Sequence, residues 1–131
     1  MLGPEPISEA AERAAREVLD AAFKIHTALG PGLLESVYEA CLVHDLMRKE
    51  VPVRRQVPVQ ISYHGLHLEA GLRLDLLVDE QVIVEIKVVE RMVPVHEAQI
   101  LSYLKLANLR LGLLINFNVV RLKEGIRRFA L

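Results

Sequence analysis

A single cysteine, Cys41, leaves the chain without any internal disulfide, so nothing in it calls for an oxidising compartment. No apolar run approaches the roughly 18–20 residues of a bilayer-spanning helix, so a membrane partner is not expected. The opening Met1-Leu-Gly-Pro-Glu-Pro-Ile-Ser8 lacks the basic-then-apolar layout of a signal peptide, which makes a cytoplasmic protein the expectation. A Gly-rich phosphate loop, a Ser-His-Asp arrangement and a cysteine pair are all missing. His26, His44, His64, His67 and His96 show no spacing such as His-Glu-x-x-His, which argues against a zinc site. Positive charge is not in excess either. A formal net charge of −1 offers no overall attraction to nucleic acid and disfavours a protein that grips many phosphates. Arg54-Arg55, Arg91, Arg121, Lys123, Arg127 and Arg128 could form local patches, but each taken singly reads as solvated surface.

What is present is a globular composition, 52% hydrophobic and 25% charged, in a length of 131 residues that suits one domain. The first eight residues read as a flexible N-terminus. A first helix is expected from about Glu9 to Leu29, capped by Ser8, with Ala11, Ala14, Val18, Ala22, Ile25 and Leu29 on one face. Gly30-Pro31-Gly32 ends it. A second helix follows from about Leu33 to Lys49, with Leu34, Val37, Cys41, Leu42 and Leu46 inward. From Val53 the period changes to two. Val57, Val59 and Ile61 alternate with polar neighbours, His64-Gly65 turns the chain, and Leu66 to Val78 returns with a bend at Gly71. Asp79-Glu80 turns it again into Gln81–Val89, completing an antiparallel meander. Pro94 opens a third helix ending near Asn108. The apolar Leu111–Phe117 then reads as a buried strand parallel to the one before the helix, because strand, helix, strand is a βαβ unit. A last strand through Ile126, Phe129 and Leu131 is possible. The order is α-α-β-β-β-α-β(-β), an α/β domain with a mixed sheet flanked by helices.

Two charges interrupt the most apolar strand. Glu85 and Lys87 stand two apart, so they share a face, among Val82, Ile83, Val84, Ile86 and Val88. A buried charge left without a partner costs about 3–5 kcal/mol. Given the Asp79-Glu80 turn, Asp75 falls opposite either Val84 or Glu85, and in the second register two carboxylates can share one cation. Mg2+ takes oxygen ligands, so two carboxylates and a backbone carbonyl such as that of Ile86 would hold it, and Lys87 could orient or deprotonate the attacking water. A salt bridge at the sheet rim explains these three residues about as well. Glu35 and Tyr38 lie on neighbouring parts of one helical face, with Glu35 where the helix dipole favours a carboxylate. On the third helix His96, Gln99 and Tyr103 form a polar stripe beside Ile100, Leu104 and Ala107. Such a stripe is ordinarily the solvent side, but this helix leaves directly after Lys87, so Gln99 can reach back over the site.

These residues fall in recognisable blocks: Gly32-Leu-Leu-Glu35-Ser-Val-Tyr38, His26-Thr-Ala-Leu-Gly-Pro-Gly32, Arg73-Leu-Asp75-Leu-Leu-Val78, Val84-Glu85-Ile-Lys87, Pro94-Val-His96-Glu97-Ala-Gln99 and Leu113-Leu-Ile-Asn-Phe117. In that order, and over nearly the whole chain, they resemble the GxxExxY family, which belongs by similarity to the PD-(D/E)XK nuclease superfamily. The resemblance implies a restriction-endonuclease-like core of order α-β-β-β-α-β. It implies metal-binding acids at Asp75 and Glu85, a catalytic lysine at Lys87, an accessory acid at Glu35 assisting the metal, and a supporting glutamine at Gln99. Tyr38, His96 and Tyr103 are further accessory candidates. Leu74 stands where the superfamily's motif has proline. The function so implied is a nuclease hydrolysing phosphodiester bonds in DNA or RNA with Mg2+ or Mn2+, and a homodimer is plausible as a way to address both strands of a duplex. Near-neutral charge leaves an alternative, a nucleic-acid-binding or protein-interaction module that keeps the nuclease fold without cleavage. A small-molecule phosphoester hydrolase would need a closed pocket instead.

Overall fold

The computed structural model describes residues 5–131. Helix α1 (Glu9–Leu29) starts where Ser8 Oγ accepts the Ala11 N–H at 3.1 Å, and Glu9 and Glu12 occupy its first turn. Its inner face is mostly alanine, with Val18 and Ile25 among Ala11, Ala14, Ala15, Ala21 and Ala22. Leu29, expected inside, is 44% exposed, because the helix ends there and Gly30 turns away at φ 74°. Helix α2 (Glu35–Arg48) begins two residues later than the periodicity suggests. Leu34 is therefore the residue before its first turn and is 73% exposed rather than inward. The N-terminus is less free than expected: Ile7 packs against the core and the Pro6 carbonyl accepts from Arg110. Residues 1–4 of that expected flexible stretch lie outside the described residues.

The sheet has five strands in the order β1 (Val53–Tyr63), β2 (Leu66–Val78), β3 (Val82–Lys87), β4 (Leu111–Asn116) and β5 (Ile126–Ala130). Strands β1, β2 and β3 form the antiparallel meander. The first turn is two residues long with positive φ at each, His64-Gly65 (45° and 85°), the geometry that matches strand twist in tight hairpins; the second has three residues, Asp79-Glu80-Gln81, with positive φ at Asp79 and Glu80 (52° and 53°). The bend falls near Gly71 as anticipated: the β1–β2 register shifts between Pro58 and Gln60, and Gly71 has φ 76°. Helix α3 (Pro94–Ala107) carries the chain to β4, which lies parallel to β3. A short 3-10 turn (Leu122–Gly125) leads into β5, antiparallel to β4.

The helices sandwich the sheet. Helices α1 and α2 cover the face presenting Leu76, Val78, Val82, Val84, Ile86, Leu113 and Ile115. Helix α3 covers the other face, where Ile100 and Leu104 meet Leu77, Ile83 and Leu114. Leu74 belongs to the α3 side together with Leu77, three residues on, so simple alternation along β2 breaks between them, at Asp75. Across from that break, Gln56 of β1 has φ 50°, a left-handed value that non-glycine residues seldom adopt in a strand. Among the described residues, no helix is long and apolar enough to cross a membrane.

Candidate active site

Asp75 and Glu85 meet where β2 and β3 part. The ladder pairs Val78 with Val82, Leu77 with Ile83 and Leu76 with Val84, which carries Asp75 opposite Glu85 at the next step. There the side chains take over from the backbone. The Asp75 N–H donates to Glu85 Oε1 at 3.3 Å, and the Ile86 N–H donates to Asp75 Oδ2 at 2.8 Å. Two donors that the ladder leaves free are thus satisfied by carboxylates.

Glu85 is only 3% exposed. Burial, then the charge of Asp75 and a hydrogen bond with its side chain, push the Glu85 carboxyl up to about 9, while the Asp75 N–H and the Lys87 ammonium pull the other way. Two carboxylates this close in a low-dielectric setting cannot both ionise without a counter-charge. A divalent cation would supply such a counter-charge, and its binding would release the proton. The donor set, hard oxygens from two carboxylates with backbone carbonyls nearby, suits Mg2+ or Mn2+. Glu35 stands at the first position of α2. Much of the residue faces solvent, yet its carboxyl is raised, by partial burial first and by the Asp75 charge second. It lines a cavity of about 200 Å³ with Ser36, Glu39, Gln56, Asp75 and Ile86. Among the described residues, no three of His, Cys, Asp and Glu are gathered closely enough to form a metal cluster. Glu35 therefore overlooks the acid pair without joining it in one ligand set.

Lys87, the last residue of β3, has its Nζ 3.4 Å from Gln99 Oε1. Gln99 Nε2 in turn donates to the Tyr103 hydroxyl at 3.2 Å. Helix α3 thus returns over the sheet face that carries Lys87. Tyr103 is buried, not part of a solvent stripe, because α3 packs flat on this face. Burial, then the charges of Glu85 and Asp75, raise its phenol, which places it within the field of the acids.

Two accessory candidates do other work. Tyr38 is fully buried and stacks on Phe117, with ring centroids 4.3 Å apart. Its hydroxyl donates to the Gly30 carbonyl at 2.6 Å and accepts the Leu33 N–H at 3.2 Å, so it ties down the turn between α1 and α2. His96 Nδ1 accepts the Val93 N–H at 3.2 Å and caps α3. Neither reaches the acids. Three residues with supporting places carried little signal. Buried Asn116, which pairs in register with Lys87, binds both backbone groups of Val89 and so fixes the segment leaving β3. Glu39 and Gln56 line the Glu35 cavity; only the four-residue step from Glu35 hinted at the first. Of the basic residues, Arg54, Arg55 and Arg128 are paired with Glu80, Glu39 and Glu12.

A family model described as the PD-(D/E)XK nuclease superfamily matches residues 12–129, a span containing all these groups. The chain belongs to that superfamily, and its mixed sheet flanked by helices is the restriction-endonuclease-like fold. Neither the curated proteins nor the solved structures give a match.

Proposed function

We propose that the protein is a divalent-cation-dependent nuclease of the GxxExxY type, hydrolysing phosphodiester bonds in DNA or RNA. The observation that carries this reading is the Asp75–Glu85 pair, with Glu85 pushed up to about 9, standing beside a Lys87 held by Gln99. A pair so strained electrostatically in the free protein is relieved by a cation. Asp75 and Glu85 would hold Mg2+ or Mn2+, which would polarise the phosphate and lower the cost of activating water. Lys87 keeps the attacking water in line and meets the negative charge that develops on the phosphoryl oxygens. Gln99 holds the ammonium in place through its carbonyl, the end that a donor-only ammonium requires, and its NH2 donates to the Tyr103 hydroxyl, which seats the other end. Glu35 adds negative potential over the pair and an acceptor for ordered water. In the reaction the water oxygen bonds to phosphorus, the bond to the leaving sugar oxygen breaks, and one water proton ends on that oxygen.

A non-cleaving binding module is favoured by one observation only, the formal net charge of −1, which gives the chain no overall attraction to a polyanion it would have to capture and cut. Incubating the protein with single- and double-stranded DNA and RNA, in Mn2+ and in EDTA, separates the two. Metal-dependent products are expected; retention of nucleic acid without turnover favours the module. Sedimentation tests the homodimer, for which the sheet's edge strands β1 and β5 are the available pairing edges.

A further inference from the structure

Glu39 and Gln56 form a wall of the cavity that reaches Asp75. Glu39 is buried on α2, one turn beyond Glu35, and both its carboxylate oxygens are taken. Arg55 Nη2 donates to Oε2 at 2.9 Å, and Gln56 Nε2 donates to Oε1 at 2.7 Å. A carboxylate accepts only, so this contact fixes the Gln56 amide with its NH2 toward Glu39. The amide oxygen is then the acceptor Gln56 offers in the cavity it shares with Asp75 and Glu35, and no described side chain or backbone group donates to it. The backbone bears a cost for this placement. Gln56 sits between the pairs Arg55–Leu76 and Val57–Leu74, directly across from Asp75, and takes φ 50° there. Its carbonyl is held by Arg73 Nη1 at 3.2 Å. Left-handed non-glycine residues inside strands persist where the surroundings over-determine them, and they cluster at functional sites.

We propose that Gln56 supplies a neutral oxygen to the cation bound by Asp75 and Glu85, directly or through its water shell, and that Glu39 is the positioning residue that orients the amide. This rests on the metal-site reading above. A neutral amide suits the place: it adds an oxygen without a further negative charge beside Asp75, Glu85 and Glu35. The salt bridge to Arg55 keeps Glu39 seated, so the amide orientation is set before any cation arrives.

The test is Mn2+ binding to the full chain by calorimetry, without nucleic acid, at fixed pH. Gln56→Gly accepts the left-handed backbone without strain, so its melting temperature is expected to match or exceed that of the unaltered protein, while Mn2+ affinity falls about tenfold. Glu39→Gln is expected to weaken binding in the same direction, and adding it to Gln56→Gly should cost little more, because it acts through that amide. Gln56→Asn, too short to reach both Glu39 and the cavity, repeats the loss on a residue that also tolerates this backbone. Wild-type affinity in Gln56→Gly and Gln56→Asn overturns the proposal while leaving the Asp75–Glu85 centre intact. Absence of Mn2+ binding to the unaltered protein overturns the centre itself, and this proposal with it.

Discussion

Asp75 donates its backbone N–H to the carboxyl of Glu85 across the gap where β2 and β3 separate, at 3.3 Å. The same contact that completes the strand pairing also holds two acids at the distance where one of them must stay protonated. Glu85 therefore costs stability in the free protein.

The sign follows from where the proton sits. In the unfolded chain Glu85 titrates near the ordinary value of 4.5; in the folded protein burial and then Asp75 raise it to about 9. Between those values the native state holds a proton that the unfolded state has lost, so stability falls as pH rises through that window. Glu85→Gln keeps the shape and removes the titration. At pH 8 it is expected to raise stability by about 2–4 kcal/mol, to flatten the pH dependence in urea melts, and to abolish cleavage. An unchanged pH profile would contradict the protonated, buried Glu85.

Lys87→Ala removes the group assigned to the attacking water but none of the acids. Cleavage should drop by about 10²–10⁴-fold, with Mn2+ binding retained in calorimetry. Equal loss of metal binding would place Lys87 in the structure of the centre instead.

Gln99→Ala and Tyr103→Phe grade the support behind Lys87. Losing Gln99 frees the ammonium and is expected to lower kcat about tenfold at unchanged Mn2+ affinity. Losing only the Tyr103 hydroxyl should cost about 1 kcal/mol of barrier, severalfold in kcat. A larger effect from Tyr103→Phe than from Gln99→Ala would reverse the order Lys87–Gln99–Tyr103 and give the phenol a direct role.

Tyr38→Phe leaves the stack on Phe117 and deletes the hydroxyl that bridges Gly30 and Leu33. It should destabilise by about 1–3 kcal/mol in thermal or urea melts, with kcat unchanged in the folded fraction. A catalytic defect at full stability would return Tyr38 to the site.

Local signals made much of this fold readable. Ser8, the alanine face and Gly30 bound α1 on their own, because capping, periodicity and left-handed termination act within a turn or two of chain. The turn at Asp79-Glu80 narrows Asp75 to two partners, since the loop length of a hairpin sets the register of everything it joins, and the third turn residue, Gln81, decides for Glu85. The choice of Glu85 over Val84, and Gln99 reaching Lys87, needed the structure. The burial of Tyr103 has no local signal, because a polar stripe looks the same whether it meets water or the polar end of a sheet. Tyr38, Glu39 and Gln56 are explained by partners in other elements: Tyr38 by Phe117, and Glu39 by the β1 residues Arg55 and Gln56. No short-range pattern encodes such contacts. The break in alternation at Asp75 is likewise a property of two strands together, and strict period-two reasoning passes over it.

A cation held by Asp75 and Glu85 is the centre of the proposed chemistry, and titrating the protein with Mn2+ at several pH values tests it most directly. Binding to one site is predicted, tightening about tenfold per pH unit up to about 9 as the proton on Glu85 is displaced, and lost in Asp75→Asn and Glu85→Gln. Binding that is independent of pH, or that survives in both variants, would contradict it.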